Sequence, residues 1–198
     1  MKQPLRLGVL GSGKGSNLRA IMEQINDGCL DAEVRIVISD VENAGILSLA
    51  RDFQIPGLYV RPGRFRAKLE PEIEEDVVRL LREASVELVV LAGFMRIVKQ
   101  PVLRAFPGRI INIHPSLLPK FPGLEAWKRA LAAGETVTGC TVHYVDAGVD
   151  TGKILAQKTV SILPDDTPER LHARIQKAEH ELLPAVLAEI AARFRGLK

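Results

Sequence analysis

Residues 109–123, "RIINIHPSLLPKFPG", set an asparagine and a histidine inside an otherwise apolar, β-forming run. Strand side chains alternate between faces, so Ile110, Asn112 and His114 share one side, and Ile111 and Ile113 the other. A buried polar group without a partner costs about 1–3 kcal/mol, so the pair needs a reason to be there. One reason is structural: two hydrogen-bonded core residues. The other is chemical. An amide and an imidazole aimed at one point can stabilise a developing oxyanion, and the imidazole can also carry a proton near neutral pH. Pro115 ends the strand, and two more prolines and a glycine fix the exit.

A carboxylate beside His114 would hold the ring and favour its protonated form. The loop "VDAGVDTGK", residues 145–153, supplies Asp146 and Asp150, although solvation and turn capping also account for either. No Gly-x-Ser-x-Gly elbow or cysteine–histidine motif marks a covalent nucleophile. The set suits direct transfer to a nucleophile carried by the substrate.

A second candidate is "GSGKGSN", residues 11–17, between a strand and a helix. Glycines let backbone N–H groups approach an anion, and a helix N-terminus adds partial positive charge. The dinucleotide pattern GxGxxG needs glycine where Ser16 stands, and GxxxxGK[ST] has no match. Asp40, ending the second strand, could mimic the ribose-binding acid of a nicotinamide site. A tight turn that binds nothing is the plainer alternative. Ser16 and Asn17 at the helix cap point to a single phosphate.

The elements that must position these groups follow from periodicity. Strand-like runs fall at 5–10, 34–39, 57–60, 86–92, 109–114, 138–145 and 153–162, and helical patterns at 17–27, 44–52, 71–84, 98–105, 124–133 and 168–195, the last interrupted at Pro184. Strand–helix alternation implies parallel strands joined by right-handed crossovers. The expected fold class is α/β: a Rossmann-like, open three-layer α/β/α sandwich. Its mostly parallel sheet has about seven strands, with a C-terminal antiparallel strand and a long C-terminal helix. One domain spans 1–198, with 1–105 as a nucleotide- and phosphate-binding half and 106–198 as the catalytic and folate-binding half implied by the resemblance below. Such sheets bind ligands beyond the carboxyl ends of their strands, where "GSGKGSN", "LAGFMR" and "NIHPSLLP" all fall.

Net charge is +3, from 27 basic and 24 acidic residues, too balanced for a nucleic-acid footprint but suited to small anions. Cys29 and Cys140 lack the spacing of a disulfide framework or zinc site, which fits a reducing compartment. No run approaches the ~20 apolar residues of a membrane span, and the apolar run 5–10, broken by Arg6, is no signal peptide. A soluble, cytoplasmic protein is expected, with no membrane or nucleic-acid partner.

"SGKGSNL", "LAGFMRI", "INIHPSLLPKFPG" and "HYVDAGVDTGKILAQ" together closely resemble the phosphoribosylglycinamide formyltransferases, folate-dependent enzymes of purine synthesis. The resemblance runs over essentially the whole chain. It implies formyl transfer from 10-formyltetrahydrofolate to the amino group of glycinamide ribonucleotide, with no metal and no NAD. It maps the catalytic set onto Asn112, His114 and Asp150, with protonated His114 and Asn112 on the oxyanion and Asp150 relaying a proton. The phosphate loop maps onto Gly15, Ser16 and Asn17, and the ribose carboxylate onto Glu179, which spacing alone gives as an exposed helical charge. The folate pocket maps onto Leu91, Phe94, Arg96, Ile97 and Val98, with Ala147, Gly148 and Val149 around the pterin. Periodicity alone makes Leu91 and Ile97 ordinary core. His143 matches a histidine near the site, and is equally a satisfied buried residue. A cis Leu118–Pro119 peptide is implied as well. Glu125 stands where many relatives carry a histidine, which removes any role for that ring here. The rivals are methionyl-tRNA formyltransferase, formyltetrahydrofolate hydrolase and a non-catalytic nucleotide-binding module. The first reads "SLLPxxRG" and carries an RNA-binding domain, and the second carries an N-terminal regulatory domain.

Overall fold

A computed structural model describes residues 3–196. The elements run β1 (Leu5–Leu10), α1 (Ser16–Asn26), β2 (Ala32–Ser39), α2 (Gly45–Asp52), β3 (Gly57–Tyr59), α3 (Pro71–Glu83), β4 (Leu88–Leu91), α4 (Gln100–Ala105), β5 (Ile110–His114), α5 (Ala126–Ala132), β6 (Val137–Tyr144), β7 (Ile154–Ser161) and α6 (Pro168–Gly196). The described residues form a seven-stranded sheet ordered β3-β2-β1-β4-β5-β6-β7. β1 to β5 are parallel, β6 runs antiparallel to β5, and β7 antiparallel to β6.

Alternate residues of the central strands feed two separate cores. Leu7, Val9, Leu88 and Val90 pack with Leu18 and Ile21 of α1 and with Leu171, Ile175 and Leu187 of α6. Leu10, Val89, Leu91 and Ile110 pack on the other side with Val77 and Leu81 of α3 and Val102 of α4. Helices therefore cover both faces, and β4 at the centre of the sheet reads as an unbroken apolar run. Gly8 is part of this fit, because a Cβ there would stand 2.5 Å from Leu81 Cδ2. Among the described residues, no helix is long and apolar enough to cross a membrane.

Three of the departures from the expected boundaries have a visible cause. α6 continues through Pro184 instead of breaking there. Proline removes one helical N–H, the partner of the carbonyl four residues earlier. The apolar residues Leu183, Val186, Leu187 and Ile190 stay buried across the site of that loss, and their packing carries the helix on. α5 starts at Ala126, two residues later than its apolar pattern, because Leu124 is exposed and Glu125 takes a left-handed φ of 53°. α4 starts at Gln100 because the preceding segment pairs elsewhere: Ile97 N–H donates to the Ala67 carbonyl at 2.8 Å.

Candidate active site

β1, β4 and β5 are parallel neighbours, so the loops that follow them leave the sheet at one edge. Registration makes this specific: Leu10 pairs with Leu91, Leu91 with Asn112, and Asn112 with His143 across the antiparallel boundary. The polar end of β5 thus lies between the loop after β4 and a histidine of β6.

Asn112, His114, His143 and Asp150 form one cluster. Asn112 Nδ2 lies 3.1 Å from His143 Nε2 and 3.3 Å from Asp150 Oδ1. His143 Nδ1–H donates to the Tyr144 carbonyl at 2.8 Å, and its Nε2 also lies 3.5 Å from Asp150 Oδ1. His114 Nδ1 stands 3.3 Å from Asp150 Oδ2, and its Nε2 lies 2.9 Å from the Phe121 carbonyl. Asp150 Oδ2 also accepts the Gly123 N–H at 2.7 Å. The residue choice left open between two aspartates is decided by these contacts. Asp146 is turned into its own loop, accepting from Gly148 N–H at 3.0 Å and Thr151 Oγ1–H at 2.6 Å, whereas Asp150 faces His114.

Opposing forces act on the charge of His114. The ring is 5% exposed, and burial lowers its pKa below the ordinary 6.5. The charge of Asp150 and the hydrogen bond to Phe121 oppose that shift without reversing it. Burial therefore works against protonation of His114 in the free protein, and Asp150 works for it. Burial works against the charge of Asp150 too, but His143, His114 and the Gly123 N–H prevail and hold its carboxyl below the ordinary carboxylate range.

The exit from β5 is fixed as its prolines imply. Thr141 Oγ1 accepts the Leu118 N–H at 3.1 Å and donates to the Ser116 carbonyl at 2.6 Å, and Gln157 Nε2 donates to the Leu118 carbonyl at 2.9 Å. The Leu118–Pro119 peptide is cis. Beside it lies an open, largely apolar cleft of about 220 Å³, lined by Leu118, Pro119, Pro122, Val149, Asp150 and Ile154 among others. Ala147 and Gly148 lie in the same exposed loop as Val149.

The glycine loop is shaped from two sides. Gly15 caps α1 in a left-handed conformation, φ 84°, and a Cβ there would meet Ile46 Cα at 2.9 Å. No side chain caps α1, and its first turn carries no acid, so its leading N–H groups are available to an anion. Asn17 Nδ2 donates to Glu179 Oε2 at 3.0 Å, joining residues 162 apart in sequence. Glu179 is not an exposed helical charge: it is 6% exposed, and burial pushes its carboxyl up to about 7 against the Asn17 hydrogen bond. Asn17 Oδ1 is buried beside it without a partner.

After β4, Leu91, Phe94 and Val98 are buried and Ile97 is half-buried. Arg96 is turned toward Asp40, with Nε 2.7 Å from Oδ2. Glu125 is exposed and paired with Lys128. Sequence reasoning did not anticipate the backbone groups of Phe121 and Gly123, which carry no side-chain mark of their role. Among the described residues, no cluster of three or more histidine, cysteine, aspartate or glutamate side chains could hold a metal ion.

The family described as formyl transferase matches residues 5–187 of this chain. Phosphoribosylglycinamide formyltransferase of Bacillus subtilis (strain 168) is 41% identical over 185 residues, which cover 93% of this chain and 94% of that protein. The chain belongs to the phosphoribosylglycinamide formyltransferase family. The crystal structure of glycinamide ribonucleotide transformylase 1 from Symbiobacterium toebii superposes on this formyltransferase with a TM-score of 0.92 at 43% identity, covering 97% of this chain and 90% of the other. The trifunctional purine biosynthetic protein adenosine-3 of Drosophila pseudoobscura pseudoobscura is 49% identical over 189 residues. That match takes in 94% of this formyltransferase chain, which spans 14% of the length of the trifunctional protein.

Proposed function

We propose that this formyltransferase moves the formyl group of 10-formyltetrahydrofolate to the amino group of glycinamide ribonucleotide, releasing tetrahydrofolate. The observation that carries the reading is the cluster at the end of β5, with Asn112, His114 and Asp150 meeting at the sheet edge that also carries the glycine loop. The substrate amine attacks the formyl carbon directly. A C–N bond forms to the nucleotide, the bond to the folate nitrogen breaks, and the surplus amine proton ends on that departing nitrogen.

Asn112 and His114 have separate parts in this scheme. Asn112 is anchored through His143, and its longer contact, 3.3 Å to Asp150, is the one it can redirect to the formyl oxygen. His114 enters neutral, with an acceptor facing each ring nitrogen. Taking the amine proton makes both nitrogens donors and satisfies both acceptors. The imidazolium so formed then supports the oxyanion, and Asp150 steadies its charge. Withdrawing one oxyanion donor costs ~100–1000-fold in turnover in comparable sites.

The leading N–H groups of α1, with Gly15, Ser16 and Asn17, take the nucleotide phosphate, and Glu179 takes the ribose hydroxyls. Residues 1–105 then supply the phosphate loop and 106–198 the catalytic trio. Leu91, Phe94, Arg96, Ile97 and Val98, with the 147–149 loop, form the folate subsite in this reading. We place the reaction in the cytoplasm, where the free thiols Cys29 and Cys140 stay reduced. The test is loss of the folate formyl group with and without glycinamide ribonucleotide. Nucleotide-dependent turnover supports the reading; nucleotide-independent release supports hydrolysis, and no release a binding module.

Gly15→Val is expected to raise the nucleotide KM sharply and leave folate binding nearly unchanged. A β-branched residue cannot take the left-handed turn readily, and its Cβ would press on Ile46. Steady-state kinetics with each substrate varied decides this, and equal weakening of both would sink the assignment.

Glu179 couples substrate binding to stability. Its carboxyl sits at about 7 in the folded protein against an ordinary 4.5. Below pH 4.5 both folded and unfolded forms hold the proton, so nothing is lost. As pH rises to about 7 the unfolded chain releases it first, and stability falls by on the order of 3 kcal/mol, then levels off. Glu179→Gln should abolish that fall in denaturant titrations while weakening the nucleotide about 10-fold or more. Unchanged nucleotide affinity would remove Glu179 from the site.

A further inference from the structure

Asp40 closes β2, is 4% exposed, and takes no part in the chemistry above. Its two carboxylate oxygens face different loops. Oδ1 accepts Ser12 Oγ–H at 2.5 Å, from the loop after β1. Oδ2 accepts Arg96 Nε–H at 2.7 Å, from the segment after β4. Ser12 extends the junction: its Oγ accepts the Met95 N–H at 2.8 Å, and its own N–H donates to the Gly93 carbonyl at 3.0 Å. Arg96 Nη1 continues to the Phe65 carbonyl at 2.7 Å and to that of Arg66. Loops following three strands therefore converge on one buried carboxylate.

We propose that Asp40 is a positioning residue that couples the two substrate subsites, so that nucleotide bound at the 11–17 loop and folate bound at the 91–98 segment each favour the other. The inference rests on the assignment of those subsites under the proposed function. Its physical basis is the cost of burying an ion. A carboxylate taken out of water is tolerated only with its charged partner and its remaining lone pairs satisfied, so the Ser12 and Arg96 arms hold together. A phosphate that orders the first loop thereby orders Ser12, and through it Met95 and Arg96. The second ligand then meets a segment already fixed, which is positive coupling without a large movement. Asparagine at position 40 can still accept from Ser12, but its amide hydrogens oppose the guanidinium, so one arm is cut. Ser12→Ala cuts the other arm and leaves the Asp40–Arg96 pair.

The experiment is calorimetry of glycinamide ribonucleotide binding, alone and with saturating tetrahydrofolate, on wild type, Asp40→Asn and Ser12→Ala. Thermal melts establish that each variant is folded. The wild type is expected to bind the nucleotide about 5-fold or more tighter when tetrahydrofolate is present. In both variants that ratio should fall to near one, whatever the absolute affinity. A role in stability alone would lower the melting temperature and leave the ratio intact, and that result overturns the proposal. So does a wild-type ratio of one. If Asp40→Asn does not fold, Ser12→Ala decides the matter. A wild-type chain that binds no nucleotide would instead bring down the functional assignment, and this inference with it.

Discussion

In Asp150→Asn, turnover is expected to fall by on the order of 10²–10⁴-fold, with His114 titrating at lower pH than in the wild type. The direction follows from the forces on the ring. Burial already lowers the histidine, and Asp150 is the charge that most opposes it. Removing the carboxylate leaves only the Phe121 hydrogen bond against burial, so His114 takes a proton less readily at every pH. The Gly123 N–H also loses its charged acceptor, which loosens the segment carrying the Phe121 carbonyl. Because neutral His114 receives the amine proton in the proposed scheme, the acid limb of the kcat/KM profile should move down with the histidine. Histidine NMR titration beside that profile checks the prediction. An unshifted His114 resonance would refute the pairing, even with activity abolished.

Asn112→Ala should cost about 100–1000-fold in kcat while changing the nucleotide KM little. In the proposed scheme the amide donates to a charge that exists only in the transition state, so ground-state binding does not depend on it. His143 Nε2 would lose its 3.1 Å donor as well. The double variant Asn112→Ala/His114→Ala should lose less than the product of the single losses, because both groups serve one oxyanion. Were the loss to appear in KM instead, Asn112 would belong to substrate binding.

Much of this was legible in the sequence, and the physical reasons differ from part to part. Alternation across residues 109–114 placed Asn112 and His114 on one face because period-2 geometry leaves no other arrangement. The glycine loop was readable because glycine takes a left-handed turn such as that at Gly15 most readily. Glu179 was illegible from periodicity, since nothing local says that α6 turns that carboxylate toward α1. The pull of burial on His114 was illegible for a related reason: the motif reveals its carboxylate partner but not how deeply the ring is buried. Phe121 and Gly123 act through main-chain atoms, which every residue possesses.

The Asn17–Glu179 bond spans nearly the whole length of the chain, and the central pair β1–β4 is also distant in sequence. Contacts of that kind require large loops to close before they contribute, so they form late and slowly. On the proposed assignment, a growing polypeptide displays its phosphate loop long before α6 exists to supply the ribose carboxylate. Full affinity for the nucleotide would then arrive with the docking of α6 and not with the loop itself. Substrate present at that moment would act as a folding ligand, drawing α6 onto the sheet and α1.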